Sequence, residues 1–154
     1  MMKRLKRTTE KASKSSAALI IFWALVIVGL FILGQLFIPA IRNLLGGSLL
    51  FLLPSVLFSL LGLALIIVVM KQKTGGPLKK FLLLTGISSL GFFVSIFLHN
   101  LIYALFVYWL GTDFWERIGL GDEPLFFILA TLVCPILFLV GVVGSLILLA
   151  RKKI

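Results

Sequence analysis

The chain has little to offer most polar chemistry: among its 154 residues there is one cysteine, one histidine and five acids. The lone Cys134 excludes an intramolecular disulfide, a CxxC redox pair and a multi-cysteine zinc site. The lone His99 excludes HExxH and any other paired-histidine metal motif. Neither a serine–histidine–acid set nor a phosphate-binding glycine loop occurs in a recognisable pattern. Charged residues make up 13% of the chain, where a soluble domain carries about one quarter. None of them lies near the centre of the long apolar stretches, which argues against an ion-coupled carrier, since such proteins place an ionisable group there.

What fills the chain instead is hydrocarbon. Hydrophobic residues make up 61%, and the mean hydropathy is +1.22. Four apolar stretches, at about 17–38, 49–70, 81–110 and 125–150, approach or exceed the ~20 residues that cross a bilayer as a helix. The first is too long for a cleaved signal segment and no A-x-A site follows it, so it reads as a retained span. Pro39 and Gly46-Gly47 mark its outer end and a turn. These features predict an all-α membrane protein, a four-helix transmembrane bundle of up-down-up-down order. A basic tail (1–16) precedes the membrane domain (17–150), and a short basic tail (151–154) ends the chain.

Positive charge orients that bundle. Thirteen of the fifteen Lys and Arg residues lie in Lys3–Lys14, Lys71–Lys80 and Arg151–Lys153, leaving only Arg42 and Arg117 elsewhere. Positive loops stay inside, which puts both termini and the middle connection in the cytoplasm and the protein in the cell inner membrane. The net charge of +10 flanks the spans, so the lipid bilayer and its anionic headgroups are the expected partner and nucleic acid is not.

The third stretch is too long for a simple crossing. As a helix, 81–110 would run about 45 Å and need a tilt near 48° to hide in a ~30 Å core. Its last turns are therefore expected at the outer interface, with Tyr103, Tyr108, Trp109 and Trp115 as an aromatic belt. Beyond it, the loop 111–124 holds Asp113, Glu116, Asp122 and Glu123, four of the five acids. Asp113 and Glu116 have the spacing of a capping box for one short helical turn, which Gly119 and Gly121 would end.

On the third helix Ser88, Gly91, Ser95, His99 and Tyr103 share one face. Gly141 and Ser145 with Cys134 on the fourth, and Ser55, Ser59 and Gly62 on the second, offer matching small-residue faces for helix packing. His99 lies about 27 Å along its helix, near the outer edge of the core, at the depth of Gln35. A polar cluster of Gln35, His99, Asn100 and Tyr103 is expected there, either as a hydrogen-bond network or as part of a site. In the second case His99 and the acids Asp113, Glu116, Asp122 and Glu123 would bind a divalent metal. A haem would take His99 as one axial ligand and need a second copy for the other. No cofactor is required by the pattern. Pro135, beside Cys134, should kink the fourth helix. The triads Val56-Leu57-Phe58 and Ile136-Leu137-Phe138, each following a proline, hint at a duplicated hairpin.

Thr85-Gly86, Leu98-His99-Asn100, Asp113-Phe114-Trp115-Glu116, Asp122-Glu123-Pro124, Cys134-Pro135 and Gly144-Ser145 give the last 70 or so residues a pattern that resembles small uncharacterised prokaryotic four-span integral membrane proteins. The resemblance implies a four-helix fold in a bacterial or archaeal inner membrane and carries no activity. The paired cysteines of quinone oxidoreductases and the first-helix glutamate of four-helix multidrug exporters are missing. The leading expectation is a non-enzymatic scaffold or accessory subunit that packs against itself or a larger membrane partner. The alternatives are an outer-face metal-binding or catalytic site on His99 and the acidic loop 113–123, and an oligomeric channel or transporter.

Overall fold

The computed structural model describes residues 2–45, 52–72 and 76–151, and their side chains apart from 2–15, 36, 42 and 45. The Gly46-Gly47 turn, the expected start of the second span at 49, residues 73–75 and the Lys152-Lys153 end lie outside the described residues.

Every element among the described residues is helical: α1 (Met2–Phe37), α2 (Pro39–Leu45), α3 (Leu53–Met70), α4 (Pro77–Leu110), α5 (Phe114–Arg117), α6 (Pro124–Ile128), a π turn (Leu129–Val133) and α7 (Cys134–Arg151). Four segments are long and apolar enough to cross a membrane: Ser16–Gln35, Leu53–Met70, Pro77–Leu110 and Pro124–Arg151. Helices are the natural solution for such sequence, because each pairs its backbone polar groups internally where no water can.

Local chemistry sets the boundaries. Pro54, Pro77 and Pro124 stand in the first turns of α3, α4 and α6, where a missing N–H costs nothing. Pro39 likewise opens α2, so the segment expected to be a turn after the first span begins as a short helix. The basic tail and the first apolar stretch lie on one helix, α1, of 36 residues. Gly111, at φ 98, ends α4 after 34 residues, or about 51 Å of helix.

In the fourth span the helix passes through a π turn just before Cys134-Pro135, a feature that itself goes with bent helices. Pro135 has no N–H to give the carbonyl four residues back. The ladder shifts accordingly, and the Cys134 N–H bonds to the Leu129 carbonyl five residues before it.

Glycines fix the register of the bundle. Gly62 of α3 meets Gly86 of α4 so closely that a Cβ on Gly62 would lie 2.8 Å from the Gly86 oxygen. Ser89 Oγ donates across the same contact to the Phe58 carbonyl at 2.6 Å. On the other side of α4, a Cβ on Gly141 of α7 would lie 2.8 Å from the Thr85 nitrogen, and Gly144 receives the Phe81 ring. Gly91 lies against the Cys134 sulfur. The pairs 58–89 and 62–86, then 81–144, 85–141 and 91–134, run in opposite directions, so α4 lies antiparallel between α3 and α7.

These contacts settle what the small-residue faces do. Ser88 and Ser95 are buried, as is Ser145, and Ser88 Oγ turns back to the Leu84 and Thr85 carbonyls of its own helix. Gly91, Gly141 and Gly62 all face a neighbouring helix of the same chain. The small faces are therefore used within the bundle.

Helix α1 is more peripheral. Ala18, Phe22, Leu25, Ile32 and Gln35 form its buried stripe, mainly against α3. Its other sides are open, with Ile20, Ile27 and Leu30 each more than 60% exposed. The phenylalanines of the two proline-preceded triads meet at its inner face: Phe58 and Phe138 pack edge to face at 4.9 Å, beside Gly29.

Candidate functional site

At the end of the bundle away from Lys71 and Lys80, α4 and the segment leading into α6 are joined through His99. Its side chain is 17% exposed. Nδ1 lies 3.1 Å from the Glu123 carbonyl oxygen and 3.3 Å from Glu123 Oε2. Both are acceptors, so the tautomer with its proton on Nδ1 satisfies them together. Nε2 faces Asp122 Oδ2 at 3.6 Å, beyond direct hydrogen-bond length. The ring also packs against Phe127, with centroids 5.7 Å apart.

Glu123 is 4% exposed and caps the N-terminus of α6. Oε1 accepts from the Leu125 N–H at 2.8 Å and Oε2 from the Phe126 N–H at 3.0 Å. A carboxylate there also meets the positive end of the helix. Asp122 Oδ1 accepts from the Glu123 N–H at 2.7 Å and is otherwise open to solvent. One histidine, one cap and one turn thus fasten the start of the last span to the third helix.

The remaining acids are elsewhere. Asp113 pairs with Arg117 at 3.3 Å, and Arg117 Nη2 donates to the Leu110 carbonyl at 2.6 Å, closing the C-terminus of α4. The helical turn expected after Asp113 forms as α5, but Asp113 gives it no side-chain cap, so the capping box with Glu116 is not made. Among the described residues, no group of three His, Cys, Asp or Glu side chains is arranged to hold a metal ion. Glu123 has its carboxylate oxygens turned to backbone donors and His99, and a cation would have to displace those bonds.

The expected cluster of Gln35, His99, Asn100 and Tyr103 is not hydrogen-bonded together. Asn100 is exposed and donates to the Ile96 carbonyl of its own helix. Tyr103 stacks on Trp115, with centroids 6.0 Å apart and ring planes 7° from parallel. Trp115 is 6% exposed, packed by Phe106 and Phe114, so it anchors α5 to α4 instead of continuing the interfacial belt. Tyr108 and Trp109 are 84% and 70% exposed. Gln35 is 2% exposed, and among the described residues its Nε2 has no hydrogen-bond partner. A buried unpaired amide costs about 1–3 kcal/mol. Gln35→Met, close in shape and free of that donor, is therefore expected to raise the thermal unfolding temperature in detergent. A lower temperature would show that the amide has a partner in the folded protein.

A second feature lies halfway along the bundle. A cleft of about 150 Å³ opens between α1 and α7, floored by Phe58 and Phe92 and walled by Val26 and Phe138. Its rim includes Leu30, Leu33 and Leu139, all more than 40% exposed, so it opens sideways. Among the described residues that line it, Ser88 and Cys134 alone carry a non-hydrocarbon side chain, and the Ser88 hydroxyl is already bonded to its own helix.

Sequence reasoning named His99 and the acids without resolving which acids meet it. The signal was there: an acid immediately before a proline that opens a helix is an N-cap pattern, and Glu123-Pro124 has it. Comparison with protein-family models, curated proteins and solved structures gives no match for this chain.

Proposed function

We propose that the chain is a non-enzymatic scaffold or accessory subunit of a prokaryotic cytoplasmic membrane, spanning it four times with both termini and the 71–80 connection inside. The charge distribution supports the orientation: the basic clusters flank one end of the spans, while four of the five acids follow α4 at the other. The observation that carries the functional reading is where the polar groups go. Glu123, His99, Asp113, Arg117, Ser88 and Ser89 are bonded within the chain, whereas large apolar side chains cover the outer sides of α1 and α7. A partner would therefore meet this protein laterally, through hydrocarbon side chains such as Ile20 and Ile27 of α1 and Val143 and Ile147 of α7. The small-residue faces are occupied by the bundle itself and are not open to a partner.

Crosslinking in native membranes followed by mild co-purification tests this reading. The expected result is a reproducible complex, with itself or with a larger membrane protein, that is lost when Ile20 and Ile27 are changed to alanine. Recovery of a monomer alone, at any crosslinker length, would sink it.

One observation favours a second reading, an outer-face cation site: the Asp122 side chain is half exposed and its Oδ2 is only 3.6 Å from His99 Nε2. In that case Zn²⁺ or Mn²⁺ would raise the unfolding temperature of the wild type and leave His99→Ala unchanged. Equal responses of the two proteins would eliminate it.

A further inference from the structure

We propose that the cleft between α1 and α7 is a binding site for one hydrocarbon chain of a membrane lipid. The inference rests on the four-span reading above but not on the scaffold role. Depth is the first argument. Phe92, on the cleft floor, lies 11 residues after Phe81, or about 17 Å along α4, close to the middle of a ~30 Å hydrocarbon core. An opening at that depth faces acyl chains alone; headgroups and water are a leaflet away.

Chemistry is the second argument. A water needs two to four polar partners, and the walls supply no free one, so hydration of the cleft is unfavourable. An apolar cavity of about 150 Å³ is large enough to take benzene or xenon in a protein interior. This cleft, of the same size, accepts a short run of methylenes, while the rest of the chain lies along Leu30, Leu33 and Leu139 at the rim.

Packing is the third. Helix α1 seats on α3, and its main approach to α7 is where Phe138 fills the space over Gly29. A whole helix with its side chains is about 10–12 Å across, more than a cleft of about 150 Å³ takes in. A single acyl chain fits that shape and is present at high concentration throughout the membrane. The headgroup plays no part, since no polar or charged side chain of the cleft is available to read it.

The test uses the full-length protein in nanodiscs whose phosphatidylglycerol carries a photoactivatable diazirine at mid-chain, with adducts mapped by mass spectrometry. Adducts on Val26, Leu30, Phe92 and Leu139 are expected roughly tenfold above those on the equally deep outer faces, a preference of about 1.4 kcal/mol. Changing the headgroup to phosphatidylcholine should leave the map unchanged. Val26→Trp, which places an indole in the cleft, should lower the cleft signal to that of the outer faces; should this variant misfold, the wild-type map still decides. Even labelling around the bundle overturns the site while leaving the spans in place. A chain-to-chain crosslink through the cleft in place of lipid adducts overturns it in favour of a second copy. No adducts on any of the four apolar helices overturns both the site and the four-span reading.

Discussion

Leucine in place of Gly62 or Gly141 is expected to abolish the folded bundle, seen as loss of the monodisperse peak and of any cooperative thermal transition in mild detergent. At Gly62 even one added carbon meets the Gly86 carbonyl oxygen at 2.8 Å and the Ser89 Cβ at 2.9 Å. At Gly141 it meets the Thr85 nitrogen at 2.8 Å and the Phe81 oxygen at 3.1 Å. Most of these obstacles are backbone atoms, which yield only if a whole helix moves. Alanine at either position should cost about 1–3 kcal/mol, the usual range for forcing an extra methyl into a packed interior. Leucine adds three further carbons at a contact where α4 is held on both sides, so repacking has no free direction. Gly34 provides the control: among the described residues a Cβ there finds nothing nearer than Ile41 Cδ1 at 3.6 Å, and Gly34→Ala should be neutral or slightly stabilising. A wild-type transition in Gly62→Leu would mean that α3 and α4 do not meet at this point.

The second large effect belongs to Glu123. Glu123→Ala removes the cap of α6 and the acceptor of His99 at once. Loss of an N-cap costs about 0.5–2 kcal/mol, and a buried polar group left without its partner about 1–3 kcal/mol. Together they should lower stability by about 2–4 kcal/mol, with His99→Ala accounting for a part of it and the double substitution costing less than the sum. Asp122→Asn, at a half-exposed side chain that keeps an acceptor for the Glu123 N–H, should change stability by less than about 1 kcal/mol. Chemical denaturation in detergent distinguishes these. Equal effects of Asp122→Asn and Glu123→Ala would show that His99 is held by the outer acid and not by the cap. Full additivity of His99→Ala and Glu123→Ala would show that the two side chains do not interact.

The large-scale features were legible because they follow from solvent alone. Four runs of apolar residues, long enough for a bilayer, can only be helices there, and prolines at 54, 77 and 124 mark where three of them start. The packing role of Gly62, Gly91 and Gly141 was also legible, since small residues at helical spacing are what close helix contacts require. Which residues each would meet was not, because spacing fixes a face and says nothing about its register against the neighbour. The same limit applies to His99. Its depth matched Gln35, yet the loop folds back far enough to bring Glu123 to it, and a loop's path is a tertiary property. Trp115 shows the same error in another form: an aromatic near an interface can face the headgroups or pack on its neighbours, and Tyr103, Phe106 and Phe114 decide for the latter. The π turn depended on how the helix answers the missing Pro135 N–H, which a proline-containing sequence leaves open.

Four crossings underlie the proposed role and the lipid site alike, and the proposed role adds that the His99–Glu123 end lies outside. Single-cysteine accessibility tests this most directly, in a Cys134→Ala background, with reporter cysteines replacing Leu44, Lys71 or Leu120 one at a time. All three positions are exposed at the ends of helices or in a loop. In intact bacterial cells a membrane-impermeant maleimide should label the cysteines at positions 44 and 120 and spare the one at position 71, which should react only after permeabilisation. Labelling at position 71 in intact cells, or protection at position 44 or 120, would contradict the arrangement.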